Sequence, residues 1–159
     1  MTRRARLEDV TKLITKGTTP TTLGYDFASE GVPFLRAQNL QNGEVDTISD
    51  AIFISEATHN VLERSQIRPG DVLVSIAGTI GRASIVQAHA PPMNCNQAVA
   101  IVRPIPKEID SRYLLRWLES GDAQKQIRKS QVTATISNLS LGQIANLWPV
   151  PGSDDTRLS

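Results

Sequence analysis

Short apolar runs set between Gly, Pro and Asn dominate this chain. Pro33–Ala37, Ala51–Ile54, Val72–Ala77, Ala83–Gln87 and Ala98–Val102 read as strands, and the third and fifth are rich in Val and Ile. Asn42–Gly43 between polar flanks marks a tight turn, and Pro69–Gly70–Asp71 breaks the chain before the Val72 strand. Ser55 predicts a helix reaching Arg64, because a side-chain oxygen there can accept an orphan amide. A clearer helix follows Lys107, with Ser111 as its expected cap. Tyr113 and Trp117, and likewise Leu114 and Leu118, pair at i, i+4 to form one apolar face, and Gly121 marks the expected end. Asp122–Lys129 predicts a more polar helix anchored by Ile127. Ser140–Leu141–Gly142–Gln143 has capping-box spacing ahead of an expected strand, Leu147–Val150. Strands come first and helices later, which predicts an α+β fold rather than a doubly wound sheet.

Length and composition narrow this further. A chain of 159 residues suits one domain, and 40% hydrophobic with 21% charged residues argues against disorder and against a coiled coil. No apolar run approaches the ~18 residues that cross a membrane. The N-terminal MTRRARLEDV carries charge with no apolar stretch behind it, so no secretory signal is expected. The expectation is a soluble, cytoplasmic protein with no membrane contact. A net charge of +1 speaks against a purely electrostatic nucleic-acid clamp. The distribution is uneven: residues 1–63 carry six Lys/Arg against nine Asp/Glu, whereas residues 64–129 carry ten against five. That second half suits either an ordinary solvated surface or a polyanion that is also read by polar contacts.

Candidate chemistry is sparse. Cys95 is the single cysteine, so it forms no internal disulfide; as a nucleophile it would need His59 or His89 as base, and nothing places either beside it. A small buried thiol is the expected role. His89, Cys95 and a carboxylate lack the spacing of a metal site, and Pro91–Pro92 interrupt the stretch between them, so no metal and no cofactor are expected. Ser75–Arg82 holds two glycines three residues apart after a strand. It lacks the P-loop lysine and the dinucleotide fingerprint, and a strand follows it instead of a helix. It reads either as a plain hairpin turn or as a hairpin whose tip, with Thr79 and Arg82, approaches a nucleic acid. The run Gln131–Asn138, dense in hydroxyls and amides, follows Lys125, Arg128 and Lys129. It is either a Thr-rich connection or a source of hydrogen bonds to phosphates and base edges through Thr133 and Thr135.

These pieces occur in a recognisable order. Leu7–Val10 leads into Lys16–Gly17–Thr18–Thr19–Pro20; Val32–Arg36 follows with Asn39–Leu40 and Gly43, then Arg68–Leu73 and Ala77–Arg82. Asn96–Gln97–Ala98 with Ile101–Pro104, Tyr113–Leu114, and Ile144 to Pro149–Val150–Pro151 complete the series. In this order the chain resembles the target-recognition domain of the specificity (S) subunit of Type I restriction–modification enzymes, from about Leu7 to Pro151.

The resemblance implies a single α+β domain over residues 1–151, with a twisted mixed or antiparallel sheet, hairpin loops, a few short helices, and a tail over 152–159. It implies a non-catalytic module that reads one half of a split double-stranded DNA sequence. Methylation subunits using S-adenosylmethionine and a motor and nuclease subunit are the implied partners, together with a homodimer mate or a second recognition half. The family's long helix does not follow Pro151 here, which fits half a subunit, a recombining fragment or a free-standing module. The expected DNA-contacting residues are Arg36, Gln38 and Asn39 after the first strand, Thr79 and Arg82 at the glycine turn, Gln97, and Thr133 to Thr135. Lys125, Arg128 and Lys129 are the expected phosphate contacts. Arg36 or Arg82 suits guanine, and Gln38, Asn39 or Gln97 suits adenine. Arg36, Gln38 and Asn39 serve equally well as strand-end residues satisfying local backbone groups. The alternative function is a protein–protein docking module of a restriction–modification or related defence complex without useful DNA binding of its own; the Tyr113/Trp117 face would serve it, although a buried helix face is the expected role of that pair.

Overall fold

The computed structural model describes residues 4–132 and 138–149. Nine strands form three small sheets: β1 (Thr11–Lys16), β2 (Val32–Leu35), β3 (Leu40–Gln41), β4 (Glu44–Val45), β5 (Phe53–Ile54), β6 (Val72–Ser75), β7 (Ala83–Ile85), β8 (Asn94–Cys95) and β9 (Val99–Pro104). Four helices accompany them: α1 (Glu56–Val61), α2 (Ser111–Glu119), α3 (Gly121–Val132) and α4 (Leu141–Ala145). The largest sheet has the order β1-β9-β6-β7, all antiparallel. The second, β5-β2-β8, is mixed, since β2 runs antiparallel to β5 and parallel to β8. The third is the β3–β4 hairpin, turned at Asn42 and Gly43, both with positive φ. The α+β expectation holds, with the sheet divided into three.

The central strands read as unbroken apolar runs because both faces of their sheet are covered. Val72, Val74, Ala100 and Val102 face one core, closed by Leu114, Trp117 and Leu118 of α2, Ala123 and Ile127 of α3, and Ile144 of α4. Leu73, Val99 and Ile101 face the other, against Leu35, Leu40, Met93 and Cys95. Each fully buried Leu or Ile contributes about 1.5–3 kcal/mol by leaving water.

Local details differ from expectation in physically readable ways. β1 has no counterpart among the expected strands. A register shift between Thr11 and Leu13 breaks its in–out alternation, and at the sheet edge its lysines stay in solvent. The run at Pro33–Ala37 gives up its last residue to a 3-10 turn, Ala37–Asn39. α2 is capped by Asp110, whose carboxylate accepts the amides of Arg112 and Tyr113; the expected cap, Ser111, is the first helical residue and donates its hydroxyl to Gly70 O at 2.7 Å. Gly121 opens α3 instead of ending α2. Ser55 and Ser140 cap α1 and α4 as expected. No strand forms over residues 147–149: Leu147 O accepts the amide of Leu7 at 2.8 Å, and Pro149 has no N–H for a ladder. Val150 lies outside the described residues.

Two features hold the layers in place. Asp71 is buried and takes a bidentate contact from Arg103, with Nε at 2.8 Å and Nη2 at 2.9 Å, plus the amide of Arg68 at 2.8 Å. Asn94 is also buried. Its Oδ1 accepts the Cys95 amide and the Ser65 hydroxyl, and its Nδ2 donates to Leu62 O and to His59 Nδ1, both at 3.1 Å. The backbone partners on both sides fix the orientation of this amide, so His59 Nδ1 is an acceptor and the ring is neutral.

Two expectations follow. A Cβ on Gly17 would stand 1.8 Å from Cys95 O and 2.6 Å from Asn96 O, so Gly17→Ala forces the backbone apart. It should cost about 2 kcal/mol or more, read as a lowered urea midpoint. Burial lowers the His59 pKa from its ordinary 6.5, and the nearby Glu56 charge only partly opposes this. The unfolded chain therefore binds the proton more readily, and His59 contributes stability that is full above about pH 6.5 and lost as pH falls toward the folded pKa. Between pH 7.5 and 5.5 the wild-type melting temperature should fall more steeply than that of His59→Gln; equal slopes would refute the assignment.

Candidate nucleic-acid interface

Strand register brings several distant segments to one end of the main sheet. Lys16 pairs with Ala100, Ser75 with Val99, and Val74 with Ala83, so β1, β6, β7 and β9 all end or begin there. The loop after β1, the β6–β7 hairpin loop Ile76–Arg82 and the turn Asn96–Ala98 therefore emerge side by side. Ile76 N donates to Ala98 O at 2.9 Å, and Gly17 N to Val99 O at 3.4 Å. The second sheet delivers Arg36 to the same place, because Asn96 N donates to Leu35 O at 3.0 Å. After α3 the chain returns there too, with Leu139 N on Ile76 O at 2.9 Å.

The hairpin loop is held from within by buried Ser75, whose hydroxyl accepts the Arg82 amide at 2.9 Å while its own amide donates to Arg82 O at 2.8 Å. Gly78 and Gly81 both have positive φ, and no atom lies within 4 Å of where a Gly78 side chain would start. Thr79 is exposed at the tip. Arg82 is half-buried, and its guanidinium has no hydrogen-bond or ion-pair partner among the described residues. From the flank, Gln124 of α3 donates to Gly81 O at 3.2 Å and to Leu118 O at 2.7 Å, tying the loop to the end of α2. Arg128 lies one turn beyond Gln124 on that flank, while Lys125 and Lys129 point further outward. All three are exposed, and none has an ion-pair partner among the described residues.

Of the remaining expected contacts, Gln97 is exposed and its Oε1 accepts the Thr19 hydroxyl. Gln38 is exposed beside it in chain order to Arg36, with its side-chain amide unengaged. Arg36 is half-buried: one terminal nitrogen donates to Asp50 O, and its Nε is buried without a partner. Asn39 differs. It is 3% exposed, its Oδ1 accepts the Arg36 amide at 2.8 Å and its Nδ2 donates to Asp46 O at 2.8 Å. That is the strand-end role, with the oxygen and the nitrogen of the amide both on backbone partners. Thr133 and Thr135 lie outside the described residues. Sequence reasoning passed over Ser75, Thr19 and Gln124; the signal for Ser75 was a small hydroxyl closing an apolar strand, and Gln124 carried none.

Other chemistry finds little support here. Cys95 is fully buried, burial pushes its thiol pKa up, and its sulfur donates to Val99 O at 3.7 Å. His59 is engaged by Asn94 and not by the thiol. Among the described residues, no three His, Cys, Asp or Glu side chains are placed to hold a metal ion, and no helix is long and apolar enough to cross a membrane. The Tyr113/Trp117 face is turned inward: Trp117 is 2% exposed, and the Tyr113 hydroxyl donates to Pro149 O at 3.1 Å.

Known proteins share this arrangement. The chain is 30% identical over 131 residues to the Type I restriction enzyme EcoBI specificity subunit of Escherichia coli, which covers 82% of this chain and 27% of that protein. Three solved structures superpose over 92% of the chain. One, from work on complex assembly and conformational transition of the type I R-M system, gives a TM-score of 0.67 at 20% identity and is matched over 33% of its length. The HsdS subunit from Thermoanaerobacter tengcongensis gives 0.63 at 19% over 32%, and the Type-I restriction-modification S subunit from M. genitalium gives 0.61 at 14% over 33%. At such identities the structures establish the fold alone. The chain thus spans between a quarter and a third of the length of these relatives. Residues 3–148 match the family model of the Type I restriction modification DNA specificity domain, and the chain belongs to that family.

Proposed function

We propose that this domain recognises one half of a bipartite duplex-DNA target and directs the methylation and motor/nuclease subunits of a Type I restriction–modification complex to it. It supplies readout and no bond chemistry; methyl transfer and cleavage belong to the partner subunits. A second copy or a second recognition half reads the other part of the target. The observation that carries this reading is that the segments bearing Arg36, Gln97, and Thr79 with Arg82 meet at one end of the main sheet, near α3 cations that have no ion-pair partner among the described residues.

The division of labour follows from side-chain chemistry. Lys125, Arg128 and Lys129 neutralise phosphates and fix register, which carries no sequence information by itself. Arg82 and Arg36 present planar forks suited to the O6 and N7 of guanine, and Gln38 and Gln97 present the donor–acceptor pair that suits adenine. Arg36 already has a donor lacking a partner, so transfer of its guanidinium to a base edge removes an unsatisfied group. Thr133 and Thr135 belong to the proposed contacts on their chemistry and their place after α3. Asn39 supports the turn that aims Arg36 and Gln38.

Two measurements test this. With random duplex DNA, each cation removed from the set Lys125, Arg128 and Lys129 should weaken binding to all sequences alike and flatten the log–log salt slope by about 0.9. An unchanged slope in the triple alanine variant would return these residues to plain solvated surface. In a selection from random DNA with partner subunits present, Arg82→Ala should cost about 1–3 kcal/mol at the cognate half-site and relax preference at one position. Its stability should change by no more than about 0.5 kcal/mol. An intact sequence preference with a sharply lowered melting point would make Arg82 structural.

A further inference from the structure

A second cationic site lies on the opposite flank of α3 from the glycine hairpin. The guanidinium of Arg4 stands 4.6 Å from the centre of the Trp148 ring, and that of Arg6 stands 5.0 Å from the same centre. The two positive charges are thus no farther apart than the Debye length of about 10 Å at 0.1 M salt, where they repel. Neither guanidinium has an ion-pair partner among the described residues. Asp9 accepts the backbone amide of Arg6, and Asp122 accepts the Trp117 ring N–H and the Gln126 amide. Beside the ring runs a groove of about 470 Å³ that includes Arg4 and Lys129, and none of the residues lining it is Asp or Glu.

The groove is built and not incidental. Gln126 makes a reciprocal pair with the Trp148 backbone, accepting its amide at 2.9 Å and donating to its carbonyl at 3.4 Å, and Gln143 donates to Ser130 O at 2.9 Å. α3 and the Trp148 segment therefore keep a fixed separation, and the indole is held half-exposed as a platform under two cations. Arg4, Lys129, the indole and amide side chains line the groove without a carboxylate, and Arg6 stands over the same ring, a set of groups suited to an anion with several oxygens. Lys129 belongs both to this groove and to the outer face of α3, so the two cationic surfaces are continuous.

We infer that Arg4 and Arg6, presented by Trp148, bind the phosphate backbone of duplex DNA and extend the contact from the hairpin across α3. The inference rests on the DNA-binding reading above and adds to it a second, sequence-independent anchor. Bound phosphate relieves the repulsion between the two guanidinium groups and brings charge next to the indole, which makes Trp148 a reporter of its own site.

The experiment titrates the full chain with a random duplex while recording tryptophan emission and, separately, the salt dependence of binding. The expected result is an emission change on binding that disappears in Trp148→Phe. The variant Arg4→Gln/Arg6→Gln should lose about 1.8 from the log–log salt slope, at about 0.9 per lost contact, and Arg4→Lys/Arg6→Lys should restore most of it. Binding with a silent Trp148 and an unchanged slope in the glutamine variant would overturn the inference and leave the hairpin reading intact. Failure of the wild type to bind the duplex at all would overturn both. If the glutamine variant does not fold, the wild-type emission change and its loss in Trp148→Phe decide the matter alone.

Discussion

The structure depends on a change of sheet made within three residues. The chain leaves the second sheet at Cys95 and enters the first at Val99. That crossing leaves room only for Asn96, Gln97 and Ala98, and it is closed by Asn96 on both sides: its side-chain oxygen accepts the Ala98 amide at 3.0 Å and its carbonyl accepts the Val99 amide at 3.2 Å. Gly17 passes so close that any side chain would meet the Cys95 carbonyl. Successive side chains of β6 and β9 alternate between the two cores, which therefore lie on opposite faces of these strands. Because the crossing is short, Arg36, Gln97 and the glycine hairpin are brought to one place. The buried Asn94 network secures the strand that leads in.

The far end of the same strands is fastened by charge. Asp71 precedes β6 and Arg103 lies near the end of β9, so their bidentate contact joins the two central strands where the loops are not. Arg103 also donates to Gln66 O at 3.2 Å, which uses a donor the carboxylate leaves over. A buried pair of this kind adds little net stability over an apolar replacement, but losing one partner leaves an uncompensated charge. Its effect here is positional: it joins the two central strands at the end opposite the proposed readers.

Much of this was legible in the sequence, for local reasons. The α2 face, the Ser55 and Ser140 caps, the Asn42–Gly43 turn and the glycine hairpin are each set by residues within a few positions of one another. What escaped was non-local or masked by irregularity. β1 hides behind a bulge, and Leu147 is taken by Leu7, some 140 positions away. Asn39 has the chemistry of an adenine reader but is drawn inward by Asp46. Gln124 looks like any polar helix residue until Gly81 is seen against it. The convergence of the proposed readers comes from strand register, which no single segment encodes.

The hairpin's two glycines have an evolutionary consequence. Gly78 and Gly81 set the turn through positive-φ backbone angles that favour glycine, and Ser75 closes it from below, so the turn is set by residues other than Thr79. That position can pass through many residue types without disturbing the fold that carries it. On the proposed reading, the contact this position makes with DNA can therefore change while the backbone that carries it keeps its path.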